Sequence, residues 1–148
     1  MLTKRNILLV LSTFICLFGL AQTAKSERFE VNNDIGYAEA VKVGNTIYIS
    51  GRVGWGDMKE ALRRSYISIE STLKHYHATF ENIIKENIYT TSLDSVIKNK
   101  DVRKEFYKNN HFPAATWVEV KRLFSKDFVV EIEAVAIINE QKKGQSRK

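Results

Sequence analysis

Val129-Val130-Glu131-Ile132-Glu133-Ala134-Val135-Ala136-Ile137-Ile138-Asn139, close to the C-terminus, decides the fold. Side chains alternate across a β-strand with period two, so Val130, Ile132, Ala134, Ala136 and Ile138 share one face. Glu131 and Glu133 occupy the other, with Val135 and Ile137 beyond them. The preceding run, Thr116 to Lys121, alternates in the same way: Val118 and Val120 on one side, Trp117, Glu119 and Lys121 on the other. Only the short Arg122 to Asp127 segment links the two runs, which predicts an antiparallel hairpin. Such pairing would set Glu119 and Lys121 beside Glu131 and Glu133. A mixed, charged face of this kind needs partners if it is covered.

Working outward, Met58, Leu62, Tyr66, Ile69, Leu73, Tyr76 and Phe80 recur at intervals of three and four, one stripe of a 3.6-period helix. Asp57 stands where an N-cap belongs, with Glu60 in capping-box register. Upstream, Ala40 to Val43 and Thr46 to Ser50 flank Gly44-Asn45, which predicts a β-hairpin. Ile83 to Ser92, rich in Ile, Tyr and Thr, predicts a strand. A second helix from Asp94 to about Asn109 would bury Val102 and Phe106, and the single proline, Pro113, marks the exit into the next strand. The order is ββαβαββ, an α+β sheet with two helices on one face.

The chain has 148 residues, 44% hydrophobic and 27% charged, which suits one compact domain. The formal net charge is +6. Lys4 and Arg5, followed by the apolar run Ile7 to Leu20 and by Gly19-Leu20-Ala21, predict a signal peptide over 1–21. That run of about 14 residues is short for a membrane span, which takes roughly 20. Cleavage after Ala21 leaves a net charge of +4 and no cysteine, since Cys16 departs with the leader. The expectation is an exported protein, periplasmic or secreted, without disulfides, thiolate chemistry or stable membrane insertion. The remaining bounds are a lead-in over 22–34, a folded domain over 35–138 and a polar basic tail over 139–148. No basic stripe argues for nucleic acid.

Three strings carry a family resemblance: Gly44-Asn45-Thr46-Ile47-Tyr48-Ile49-Ser50-Gly51, Phe112-Pro113-Ala114-Ala115-Thr116 and Val130-Glu131-Ile132-Glu133-Ala134-Val135-Ala136. From about Ile35 to Ile138 the chain resembles the Rid/YjgF family, the imine and enamine deaminases typified by reactive intermediate deaminase A. The resemblance implies a chorismate-mutase-like fold assembling as a trimeric barrel, with small-molecule clefts between subunits. It implies cofactor-free, metal-free hydrolysis in which an arginine grips the carboxylate of a 2-imino acid while a glutamate and backbone groups position water. Carried across, the glutamate is Glu131, the strand serine is Ser50 beside Gly51, and the early tyrosine is Tyr37, in an Ile35-Gly36-Tyr37 start one residue short of the pattern. Tyr37 is equally readable as a hydrophobic ring near the chain start.

The arginine position falls on Ala115, and Trp117 stands where the family has a small side chain. A lost charge-assisted clamp costs about 1.5–3 kcal/mol of binding, so poor turnover of 2-imino acids is expected. Arg52 either offers a replacement guanidinium or is a solvated surface residue. Trp117 either stacks a planar ligand or plugs the cleft. Three readings follow: an exported enzyme acting on imines, enamines or a related electrophile, a non-catalytic trimer that binds a small ligand or a protein partner, and an exported interaction module whose trimer is purely structural. His75 and His77 are wrongly spaced for a shared metal, His111 has no ligating neighbour, and Gly51, Gly54 and Gly56 lack the Lys-Ser/Thr of a phosphate loop.

Overall fold

The computed structural model describes residues 25–139. The leader assigned to 1–21 and the tail beyond Asn139 lie outside the described residues. The elements are β1 (Ser26–Asn32), β2 (Tyr37–Val43), β3 (Thr46–Trp55), α1 (Met58–His75), β4 (Ile83–Thr90), α2 (Leu93–Lys98), α3 (Asp101–Phe106), β5 (Ala114–Glu119) and β6 (Phe128–Ile137). They build a six-stranded sheet in the order β1-β2-β3-β6-β4-β5, an α+β fold with the helices on one face.

β2 and β3 form the expected antiparallel hairpin around Gly44-Asn45, with Val43 opposite Thr46 and Gly44 at a φ of +58°. Glycine enters that left-handed region without steric cost. α1 starts where Asp57 Oδ1 accepts from the Lys59 backbone N–H at 3.0 Å. Glu60 bonds forward to Arg63 at 2.8 Å and does not close a capping box. The stripe of α1 is buried, with Tyr66, Ile69 and Leu73 at 0% exposure over Ile47, Ile132 and Ala136. α1 ends at His75, and Phe80 reaches the same core from a separate 3₁₀ turn, Phe80–Asn82.

Three expectations need correction. The lead-in contains β1, which pairs antiparallel with β2 and stacks Phe29 on His75 with ring centroids 3.9 Å apart. The single second helix is two short ones, α2 and α3, broken at Asn99 and Lys100. Most consequentially, β5 and β6 do not form a hairpin: β5 runs parallel to β4, and β6 lies between β3 and β4, antiparallel to both. The physical reason is burial. β6 places Val130, Ile132, Ala134 and Ala136 at 0–3% exposure and takes the centre of the sheet, whereas β5 is mostly exposed and takes an edge. A parallel β4–β5 pair requires a crossover, which α2 and α3 provide.

Candidate functional site

The helix-free face of the sheet carries the charged half of β6. The register aligns Val41, Tyr48, Val135 and Lys85 in one row, Glu133 beside Asn87 and Thr116 in the next, and Glu131 beside Val53, Tyr89 and Val118 in a third. Tyr48, Ser50, Lys85, Asn87, Glu133 and Val135 wall a recess of about 260 Å³ on this face.

At its margin β3 departs from regular pairing between Ile49 and Arg52, so Ser50 and Gly51 sit in a bulge opposite β6. Ser50 Oγ donates to the Ala38 carbonyl at 2.7 Å, which fixes the hydroxyl across to β2. The Glu131 carboxylate lies directly on Gly51: a Cβ at that position would stand 2.6 Å from Glu131 Cδ. Only glycine permits this approach.

The two carboxylates of β6 have unlike surroundings. Glu133 Oε1 accepts from Asn87 Nδ2 at 2.7 Å and from the Tyr89 hydroxyl at 2.9 Å, which anchor that carboxylate. The bond to Glu133 in turn pushes the Tyr89 hydroxyl above its ordinary pKa. Glu131 titrates above the usual carboxylate range, chiefly because burial disfavours its charge and secondly because Glu133 repels it.

Of the residues singled out from the sequence, Ser50, Gly51 and Glu131 come together. The others do not join them. Tyr37 lies at the start of β2 opposite Asn32, its hydroxyl donating to Glu39 Oε1 at 2.8 Å. Arg52 is neither solvated nor open to a ligand. It is buried under α1, paired with the Glu39 carboxylate, and donates to Thr72 Oγ1 at 2.6 Å and to the Glu39 carbonyl at 3.0 Å. Burial lowers its pKa against the opposing pull of Tyr37 and Glu30. Ala115 and Trp117 align with Glu86 and Ile88, both buried, and therefore belong to the helix side of the sheet, opposite Glu131. Trp117 packs against the core. Glu119, expected beside Glu131 or Glu133, instead accepts from the Leu93 backbone N–H at 2.8 Å at the start of α2.

Sequence reading missed a second polar cluster altogether. Glu86 is fully buried and accepts from Tyr107 Oη at 2.7 Å and from Tyr66 Oη at 3.4 Å, while Arg103 Nε donates to its other oxygen. Both tyrosines are pushed up, first by burial and then by the negative Glu86. The signal was present: Glu86 stands in period-two phase with Ile88 and Thr90, all three inward.

A family model described as Endoribonuclease L-PSP matches residues 30–138. The chain belongs to this family, the Rid/YjgF proteins. Among curated Rid/YjgF relatives, a RutC family protein of Pyrococcus abyssi is 32% identical, the match covering 68% of this chain and 84% of that one. A 2-iminobutanoate/2-iminopropanoate deaminase of Dermatophagoides farinae is 30% identical over 69% of this chain and 85% of its own. Among solved structures, a member of the YjgF/YER057c/UK114 family from Mycobacterium tuberculosis superposes with a TM-score of 0.70 at 26% identity, covering 77% of this chain and all of that one. The membership inferred from the three strings is therefore shown, and with it the α+β fold.

Proposed function

We propose that this Rid/YjgF protein is an exported homotrimer that hydrolyses the C=N bond of small imines, including those formed by tautomerisation of enamines, without a cofactor, with Glu131 moving the protons. The observation that carries the reading is the Glu131 carboxylate, laid on Gly51 and held above its ordinary pKa beside an anchored Glu133. Such a group can be protonated to charge the imine nitrogen and ionised to accept a proton from attacking water. Addition of water forms the C–O bond and sends the π pair to nitrogen. Collapse of the adduct breaks C–N, releases ammonia and leaves a carbonyl. Relatives about 30% identical are named as 2-iminobutanoate/2-iminopropanoate deaminases, from Dermatophagoides farinae and from Homo sapiens.

The trimer rests on the helix-free face, where Tyr48 is 52% exposed and Ile137 37% exposed beside half-buried glutamates. A second copy would cover these apolar rings and chains and close the recess into an intersubunit cleft for a small molecule. Export rests on the Lys4-Arg5, Ile7 to Leu20 and Ala21 pattern. A second reading is a trimer that binds a small ligand or a protein partner without turning it over, since the arginine that the family resemblance expects at position 115 is alanine here.

The deciding experiment generates imines in situ with an amine or amino-acid oxidase and follows their loss by competition with semicarbazide. Acceleration by the wild-type protein that is lost in Glu131→Gln is the result the proposal requires. No acceleration of any imine by a folded wild-type protein sinks the enzyme reading and leaves the binding one.

A further inference from the structure

The loop between β5 and β6 reads Lys121-Arg122-Leu123-Phe124-Ser125-Lys126-Asp127. Its entry is tied to β4, where the Val120 N–H donates to the Thr90 carbonyl at 2.8 Å. Its exit is a closed turn: the Phe128 N–H donates to the Ser125 carbonyl at 3.2 Å and the Asp127 N–H to Ser125 Oγ at 3.3 Å. Leu123 is buried and pins the middle of the loop to the protein. With Leu123 turned in, Phe124 stands out at 78% exposure, the most of any large apolar side chain among the described residues. Lys121, Arg122 and Lys126 are exposed on either side of it and form no ion pair among the described residues. A second aromatic stands at the same end of the sheet: Trp55, 46% exposed, lies opposite Phe128 where β3 ends and β6 begins. Arg64 of α1 covers the Trp55 ring at 4.8 Å from its centroid. The acids of this end are mostly committed, Asp57 to the start of α1, Glu60 to Arg63 and Glu119 to the Leu93 N–H, which leaves Asp94 and Asp127.

A single ring projecting from a pinned turn offers a protein partner no groove to fill. Ringed by cations, it matches a surface that is anionic at its top and apolar just beneath, which is the headgroup region of an anionic bilayer. Tryptophan and the cationic side chains settle at that same boundary. We propose that the β5–β6 loop is a docking tip for an anionic lipid surface, with Phe124 entering the acyl boundary, Lys121, Arg122 and Lys126 against lipid phosphates, and Trp55 with Arg64 on the flank. One such tip holds weakly. In a three-fold assembly equivalent tips share one level along the axis, so a flat bilayer that meets one meets all three, and their linkage multiplies the hold. None of these residues lines the recess, and the docking does not depend on the chemistry assigned to Glu131.

The test mixes the full chain with vesicles of phosphatidylglycerol and phosphatidylcholine in equal parts, or of phosphatidylcholine alone. Hydrogen exchange is read peptide by peptide, which separates the loop from the apolar run near the N-terminus. Exchange over 121–127 should slow on the anionic vesicles and not on the neutral ones, and added salt should reverse the slowing. Phe124→Ser should raise the lipid concentration for half-maximal protection about tenfold, through the lost apolar contact. Lys121→Gln combined with Lys126→Gln should raise it about twentyfold, near fivefold for each charge. All three side chains are exposed, so the variants should melt with the wild type. Glu131→Gln should leave the protection unchanged, so that a failure of hydrolysis and a failure of docking are read apart. Equal protection on neutral vesicles, or protection by heparin that matches the vesicles and is indifferent to Phe124→Ser, would overturn the assignment. Exchange over 121–127 unchanged on anionic vesicles would overturn it too and leave the tip to a protein partner.

Discussion

Gly51 and Gly54 stand three residues apart on the same strand, and alanine at each should have opposite consequences. At position 51 the new Cβ lands on the Glu131 carboxyl group, 2.6 Å from Cδ and 2.7 Å from Cγ. Those atoms end a flexible side chain, which can swing aside at a rotamer cost of about 0.5–1.5 kcal/mol. The fold survives, but the carboxylate leaves its place. Displacing a reacting group by about 1 Å costs roughly a hundredfold in rate. At position 54 the Cβ meets the backbone of Ala61 in α1, 2.6 Å from its carbonyl carbon and 2.8 Å from its Cα. No rotamer relieves that overlap, so α1 must lift off β3, at a cost of about 1–3 kcal/mol or more. Gly51→Ala should therefore melt within a few degrees of wild type yet lose most imine hydrolysis, while Gly54→Ala should melt well below it. The measurements are thermal melts by circular dichroism and the semicarbazide competition rate for each variant. Full activity in a folded Gly51→Ala would show that the position of Glu131 over Gly51 has no part in the chemistry.

Glu131→Gln should raise stability at neutral pH: a native pKa above the unfolded one means the charged form is disfavoured by folding, so the native protein loses stability as pH rises from the unfolded value through the native one. Chemical denaturation across that window should show the variant's advantage vanish as pH falls below the ordinary glutamate range. Tyr107→Phe removes a 2.7 Å bond to the buried Glu86 carboxylate and should cost about 1.5–3 kcal/mol in a urea titration. Trp117→Ser strips a half-buried indole from the core edge and should cost about 2 kcal/mol, below the 3–5 of a fully buried aromatic.

Local periodicity was legible wherever one face of an element meets the core. The α1 stripe, the Asp57 cap and the Gly44-Asn45 turn all follow from rules that act within a few residues. Pairing does not. A strand such as Val129 to Asn139 states which side chains are buried but is silent about which strands flank it, and the short Arg122 to Asp127 link suggested a neighbour that the sheet places two positions away. That single misplacement turned Trp117 and Glu119 toward the wrong face and invented contacts to Glu131 and Glu133. Glu131, Gly51 and Ser50 come close together because their strings stand on β3 and β6, which do pair. Arg52 was misread because a bulge reverses the alternation just before it, and a bulge leaves no mark in the spacing of apolar residues.

The most direct test of Glu131 as a proton-carrying group is its own titration, followed through the side-chain carboxyl ¹³C resonance and assigned by comparison with Glu131→Gln. The account requires a midpoint above that of the protein's solvent-exposed glutamates, moving back toward them in Glu133→Gln as the neighbouring charge is removed, with the remaining elevation due to burial. A midpoint at or below those of the exposed glutamates would mean that Glu131 is simply an ionised surface carboxylate, and the proposed hydrolysis would lose its acid and base.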